Sequence, residues 1–179
     1  MSDEPTMSVW QAVSTKRMVR EFADRPLEPE HLVRILNAGR RSASSKNLQR
    51  WEFIVCRDRE HLRELSAVGP WAGHLAGAAV AIALITPEAR TADDPLSVMF
   101  DLGQATASMM LVAWELGIGS CHVAVYEPEL TRSLLGYPDG SRCDYLISLG
   151  YRKEGAEAGD RTRPIERRSL AELRHDEHW

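Results

Sequence analysis

The residues best suited to binding a ligand lie in one short polar segment, residues 44–51. It reads Ser-Ser-Lys-Asn-Leu-Gln-Arg-Trp and lies between a helical pattern that ends near Arg40 and an apolar strand pattern at 51–56. Its two hydroxyls and two side-chain amides are short hydrogen-bonding groups that core packing does not require. They would suit a flat ligand rich in nitrogen and oxygen atoms. The alternative is a helix-to-strand connection whose polar side chains only cap and turn the chain.

Basic residues form a second candidate group, and they occur near both ends of the chain. Lys16, Arg17 and Arg20 lie near the N-terminus. Near the C-terminus the chain has Arg152 and then Arg161, Arg163, Arg167 and Arg168. The net charge is −4, so the chain has no overall basic bias toward nucleic acid or an anionic membrane. A local cluster in a mildly acidic protein favours a discrete anion site, and the alternative is a solvated tail.

The cysteine and histidine residues favour neither a disulfide framework nor a metal site. The three cysteines form no CxxC pair, and Cys56 and Cys121 lie in apolar, strand-like runs. This is typical of reduced, buried thiols in a cytosolic protein. The histidines do not pair at a convincing ligand spacing, so we expect no metal. The N-terminus is acidic and lacks the pattern of a signal peptide, so we predict a cytoplasmic protein.

The elements that must position these residues alternate irregularly between helix and strand, which predicts one α+β domain spanning residues 1–179. Helical patterns occur at 8–17, from Pro29 to about Gly39, after Asp58, at 95–116 and at 128–135, and strand patterns at 51–56, 78–86, 121–125 and 144–150. The longest helix, 95–116, has small residues beside bulky apolar ones, and it would be covered on more than one side. We therefore expect it at the centre of the molecule or of a dimer.

Four segments, in order, resemble the nitroreductase family of FMN-dependent oxidoreductases over roughly residues 8–179. The first is KRMVREF at 16–22, and the second is ASSKNLQRW at 43–51. The third joins DLGQA at 101–105 to WELGIG at 114–119. The last has LGYR at 149–152, RRSLAE at 167–172 and a terminal Trp179. Each motif alone is weak, whereas the four together at this spacing are specific.

The resemblance implies an FMN cofactor and a set of cations that bind it. It assigns the FMN phosphate to Lys16 or Arg17 and to Arg167 and Arg168, with Arg163 or Arg161 in reserve, since arginine suits a phosphate dianion. Arg20 would lie near the pyrimidine edge of the flavin and stabilise the negative charge of its reduced form. The backbone N–H of Val125 would face flavin N5.

The resemblance also implies an intertwined homodimer with composite sites. Ser44, Ser45 and Asn47 match the loop that the family supplies from the second subunit. The extended tail, residues 151–179, would reach the partner subunit.

The expected activity is reduction of nitroaromatics, quinones or related small acceptors, with NAD(P)H as a transient electron donor and ping-pong kinetics. Three departures from the family pattern put the acceptor in doubt. Met18 removes a phosphate-loop hydroxyl, and Ala43 and Arg50 stand where the family has proline, so that Arg50 could reach a substrate or a phosphate. The alternative function is a flavin-binding, storage or redox-responsive module without turnover.

Overall fold

A four-stranded antiparallel sheet forms the centre of the protein, with helices on both faces. The computed structural model describes residues 7–89, 91, 94–156 and 167–179. The strands lie in the order β1–β2–β4–β3. The strands are β1 (Glu52–Cys56), β2 (Val80–Pro87), β3 (Ile118–Ala124) and β4 (Ser141–Tyr151), and the helices are α1 (Val9–Thr15), α2 (Pro29–Arg40), α3 (Arg59–Leu65), α4 (Asp94–Glu115), α5 (Pro128–Leu135) and α6 (Leu170–Leu173). The predicted α+β architecture, with an antiparallel sheet flanked by helices, is confirmed.

Local sequence signals account for most of the element boundaries. The Asp58 side chain accepts a hydrogen bond from the His61 N–H and so caps α3, as predicted. Gly136 ends α5 in a left-handed conformation, with φ of 65°. Strand β3 begins earlier than predicted, because Gly117 ends the helical segment with φ of 73° and the strand follows at once. Two 3₁₀ turns, Ser45–Asn47 and Ala72–Gly77, were not predicted.

The two faces of the sheet support separate cores. Helices α2 and α4 cover one face, where Ile35 and Met109 pack with Ile147. Helices α3 and α5 and the 72–77 turn cover the other, around Leu62 and Leu146. The three cysteines are buried and unpaired, as predicted: Cys56, Cys121 and Cys143.

Helix α4 is the longest element, and it supports both the core and an open surface. Residues Leu96–Glu115 are long and apolar enough to cross a membrane by length and composition alone. Ala105, Met109 and Ala113 are fully buried, and a core position accounts for their apolar character. Helix α2 approaches α4 closely at Gly39, where a Cβ would lie 2.9 Å from the Met109 side chain. The small residue that permits this contact is therefore in α2, although the sequence had drawn attention to small residues in α4.

An extended segment, residues 16–23, connects α1 to the sheet, and we call it the strap. The Val19 N–H donates to the Ser120 carbonyl oxygen at 3.0 Å, and the Ala23 N–H donates to the Tyr151 carbonyl oxygen at 2.8 Å. Helix α1 ends at Thr15 and does not continue to Arg20. The strap thus carries its basic residues across the ends of β3 and β4.

Candidate functional site

A cavity of about 490 Å³ lies between α4, the strap and the paired strands β3 and β4. Its lining residues are Lys16, Met18, Met99, Leu102, Gly103, Thr106, Ala107, Met110, His122 and Tyr145. The α4 wall is mostly apolar, and small residues at Gly103 and Ala107 leave room beside it. Concave, largely apolar sites of this size with a few polar groups are typical of small-molecule binding.

Lys16 brings a cation to this cavity, and Arg167 lies within electrostatic reach of it. Burial lowers the pKa of Lys16, the Cys121 thiol opposes that effect, and the Arg167 guanidinium lowers the pKa further. Charges in salt solution interact over a Debye length of about 10 Å. Two basic segments about 150 residues apart in sequence therefore act on each other electrostatically. A half-buried lysine in the lining of an apolar cavity, with a second cation acting on it, favours an anionic ligand.

Arg20 acts electrostatically on two histidines, His122 of β3 and His74 of the 72–77 turn. Burial, then Lys16 and then Arg20 lower the pKa of His122. Burial lowers the pKa of His74 to about 4, with smaller contributions from Arg20 and His122. Both imidazoles are therefore neutral at pH 7, while the neighbouring lysine and arginine provide the positive charge. Neither histidine was predicted from the sequence as a site residue.

Arg17 and Arg168 point elsewhere in this structure. The Arg17 guanidinium donates to the carbonyl oxygens of Ser14 and Lys16 at the end of α1. The Arg168 guanidinium donates to the Glu172 carbonyl oxygen at 2.8 Å, within α6. Both are exposed, so neither bond prevents a later contact with a ligand. Arg161 and Arg163 lie outside the described residues.

The polar segment 44–51 lies beside α4 but away from the first cavity. Its first residues line a separate hollow of about 690 Å³ with Leu96, Ser97, Phe100, Asp101 and Gln104 of α4. The Ser45 N–H donates to the buried Asp101 carboxylate at 2.9 Å. The Ser44 hydroxyl accepts from the Gln49 N–H at 3.0 Å, which leaves its own O–H free to donate. Asn47 is exposed on this loop.

The two hollows occupy different faces of α4. An α-helix turns about 100° per residue, so the two sets of lining residues are centred about a third of a turn apart. Within one chain, Lys16 and the Ser44–Asn47 loop therefore do not line the same cavity. They would share a site only if a second chain supplied one of them.

Arg50 binds the first turn of α4 in this structure. Its guanidinium donates to the Asp94 carboxylate at 2.9 Å and to the Ser97 hydroxyl at 2.6 Å. A contact between Arg50 and a substrate or phosphate stays a prediction, and in this structure the first turn of α4 supplies two acceptors for the Arg50 guanidinium.

The N–H of Val125 is engaged within the sheet and does not face a ligand. It donates to the Asp144 carbonyl oxygen at 2.9 Å. In an antiparallel pair, hydrogen-bonded and non-hydrogen-bonded residues alternate. Ala124, which is opposite Tyr145, is therefore a non-hydrogen-bonded position, and its N–H points away from β4. The Val125 N–H is therefore not free for its predicted role, and the neighbouring N–H that points away from β4 is that of Ala124.

The family model described as "Nitroreductase family" matches residues 13–68 and 68–151, most of the chain. The chain belongs to the nitroreductase family. A protein of Archaeoglobus fulgidus, provisionally named NADH dehydrogenase/NAD(P)H nitroreductase, is 34% identical over 160 residues, which are 85% of this chain and 91% of that protein.

Solved members of the nitroreductase family share the fold over nearly the whole chain. An FMN-dependent nitroreductase from Clostridium difficile superposes with a TM-score of 0.78 at 27% identity, covering 94% of this chain and 98% of its own. A protein of Desulfovibrio desulfuricans solved in complex with FMN gives a TM-score of 0.79 at 24% identity, covering 99% of both chains. At 24% identity, the similarity to the Desulfovibrio desulfuricans protein establishes only the fold.

Proposed function

We propose that this nitroreductase-family protein is an FMN-dependent oxidoreductase that uses NAD(P)H to reduce small acceptors such as nitroaromatics or quinones. Its family membership supports the reaction class, and a 27% identical relative is named as FMN-dependent. FMN combines a flat ring with a phosphate dianion. The apolar α4 wall suits the ring, and Lys16 in the cavity lining suits the phosphate.

The single observation that carries the proposal is the cavity that places the half-buried Lys16 beside the apolar wall of α4. A half-buried lysine in the field of an arginine is unfavourable unless an anion neutralises its charge. Charge-assisted hydrogen bonds from arginine and lysine to phosphate oxygens would provide this compensation. Arg17 and Arg168 are exposed at the ends of short helices and are further candidates for the same phosphate.

A second copy of the chain would complete the site with Ser44, Ser45 and Asn47. The separation of the two hollows on α4 favours such a composite site over one formed within a single chain. Large apolar side chains are exposed on the surfaces that a partner would cover: Val9 and Trp10 of α1, Leu96 and Phe100 of α4, and Leu170, Leu173 and Trp179 of the tail. Exposed apolar surface of this extent is typical of interaction sites. The tail, residues 151–179, would then reach the partner subunit, as part of a single domain spanning residues 1–179.

The protein's own groups would bind and polarise the cofactor. Bound FMN would supply hydride chemistry, first accepting from NAD(P)H and then giving to the acceptor, in a ping-pong sequence. Arg20 would stabilise negative charge at the pyrimidine edge of the ring, and the outward N–H of Ala124 would donate to its central edge. Because His74 and His122 are neutral at pH 7, the positive charge comes from Lys16 and Arg20. The cytoplasmic location stays a prediction.

An anaerobic titration tests the proposal. Purified protein is reconstituted with FMN, freed of unbound cofactor and mixed with NADH or NADPH while the flavin absorbance is followed. We expect one FMN per chain and bleaching of the flavin band, followed by reoxidation when a quinone or nitroaromatic is added. Protein that retains no FMN would contradict the proposal. Retention of FMN without bleaching by either donor would instead indicate a flavin-binding module without turnover.

A further inference from the structure

The loop that carries Ser44, Ser45 and Asn47 has an unusual backbone. Lys46, Asn47 and Gln49 have φ of 53°, 55° and 49°. Residues other than glycine rarely adopt this left-handed region, and they hold it only where the surrounding structure imposes it. Three such residues within four positions, on a proposed ligand-binding loop, require an external restraint.

Packing does not supply this restraint, because residues 45–49 are all exposed. Hydrogen bonds within the loop help: the Asn47 N–H donates to the Ser44 carbonyl oxygen at 2.9 Å, and the Leu48 N–H to the Ser45 carbonyl oxygen at 3.0 Å. These bonds close local turns but do not attach the loop to the body. Attachment comes from α4, through Asp101 at the first end of the loop and through Arg50 at the second.

Arg50 is suited to attach the loop because its two terminal nitrogens reach different residues of the first turn of α4. One donates to Asp94 and the other to Ser97, and the Arg50 and Asp94 side chains are only 20% and 23% exposed. A planar guanidinium fixes both contacts at once, which a lysine ammonium cannot reproduce. Within the described part of the chain, Arg50 Nε is buried without a hydrogen-bond partner. A partly shielded ion pair with an unsatisfied nitrogen adds little net stability, so its effect is better sought in loop geometry.

We propose that Arg50 is a positioning residue that holds the 44–51 loop in the conformation needed for FMN binding. It touches neither cofactor nor substrate and acts through Ser44, Ser45 and Asn47. The inference rests on the proposed function, since it needs that loop to contribute to an FMN site. If the contacts of Arg50 with Asp94 and Ser97 are lost, the loop conformation that binds FMN becomes a minor one. The apparent FMN affinity then falls in proportion to the population of that conformation.

Three variants and one matched control test the inference. Arg50→Met removes both contacts, Arg50→Lys retains the charge without the fork, and Ser97→Ala removes one contact without changing charge. Arg34→Met is the control, because it breaks another arginine–acid pair to α4, that of Arg34 with Glu115 at 2.9 Å, away from the loop. Hydrogen exchange of the amides at 45–50 is measured without FMN, and the FMN dissociation constant is measured by flavin fluorescence.

We expect Arg50→Met to raise both the loop exchange rate and the FMN dissociation constant by about tenfold, as a fall in competent population to about a tenth would give. For Arg50→Lys we expect a loop exchange rate and an FMN dissociation constant between those of the wild type and Arg50→Met. Ser97→Ala should also raise both quantities, and Arg34→Met should leave both unchanged. Unchanged loop exchange in Arg50→Met and Ser97→Ala would overturn the inference, and so would faster exchange with unchanged FMN affinity.

If Arg50→Met does not fold, the loop exchange rates and FMN dissociation constants of Ser97→Ala and Arg50→Lys test the inference in its place. Wild-type protein that binds no FMN would refute the proposed function, and exchange would still report whether Arg50 restrains the loop.

Discussion

Gly119 lies directly beneath Val19, so that a Cβ built at Gly119 would be 2.6 Å from the Val19 Cβ. Gly150, the partner of Gly119 across β3 and β4, has the same relation to Phe22, at 2.7 Å. The strap can cross the sheet only because both positions lack a side chain. The two glycines therefore determine how closely Lys16 and Arg20 approach β3.

Replacing Gly119 by alanine should displace the strap. The added methyl group meets the β-branched Val19 at its Cβ, which cannot rotate away, so we expect a loss of about 1–3 kcal/mol in the free energy of unfolding. Because the strap carries Lys16 and Arg20, FMN affinity should fall as well. Urea denaturation and a fluorescence titration measure the two effects. Gly77→Ala is the control, since a Cβ at Gly77 meets nothing within 4 Å. Equal stability of the Gly119→Ala and Gly77→Ala proteins would contradict this account of the strap.

The sequence predicted the architecture well where periodicity and turn residues agreed. The buried strand β2 appeared as an unbroken apolar run, and α3 and α5 had recognisable starts at Asp58 and Pro128. The strap was harder to predict, because its extended backbone depends on contacts with Gly119 and Gly150, which lie about 100 and 130 residues away from Val19 and Phe22. The 72–77 turn has no periodic pattern, and its packing is decided by Leu75 in the second core.

The site was predicted less well, because its details depend on single-residue register and on long-range partners. The pairing of β3 with β4 decides whether Ala124 or Val125 has its N–H pointing outward. A shift of the register by one residue reverses the direction of each N–H. The restraint on Arg50 depends on Asp94 and Ser97, which lie more than 40 residues further along the chain. Neither relation can be read from local composition.

Because Arg167 lowers the pKa of Lys16 at the cavity, we predict that Arg167 contributes more to FMN binding than Arg168 does. Arg167→Ala should raise the FMN dissociation constant about tenfold, as expected for loss of one charge-assisted contact to phosphate. Arg168→Ala should have a smaller effect, because Arg168 bonds to the Glu172 carbonyl oxygen in α6. Fluorescence titration gives the affinities, and size-exclusion chromatography checks that assembly is unchanged. Arg174→Ala is the control, since Arg174 pairs with Asp176 on the same exposed tail. Equal losses for Arg167→Ala and Arg168→Ala would favour the assignment made from the sequence, in which both arginines bind the phosphate.

His74 should make the protein less stable as the pH falls. Burial is the main cause that lowers its pKa to about 4, Arg20 and His122 add to the effect, and Nδ1 is buried without a hydrogen-bond partner among the described residues. In the unfolded chain a histidine titrates near its ordinary pKa of about 6.5. Between about pH 6.5 and 4 the unfolded state therefore binds more protons than the folded state, and the free energy of unfolding decreases with decreasing pH.

Replacing His74 by glutamine removes this titration and should make the pH dependence shallower. We expect the free energies of unfolding of wild type and His74→Gln to differ by a constant amount above pH 7, where neither state protonates residue 74. Below pH 6.5 the wild type should lose stability faster than the variant, until the curves become parallel again near pH 4. Urea denaturation at half-unit steps from pH 8 to 4 measures both curves, and the constant interval above pH 7 serves as the internal control. Carboxylate protonation contributes equally to the pH dependence of the free energy of unfolding in both proteins. Parallel curves from pH 8 to 4 would therefore mean that His74 has the same pKa in the folded and unfolded states. That result would mean that burial beside Arg20 does not keep the His74 imidazole neutral below pH 6.5.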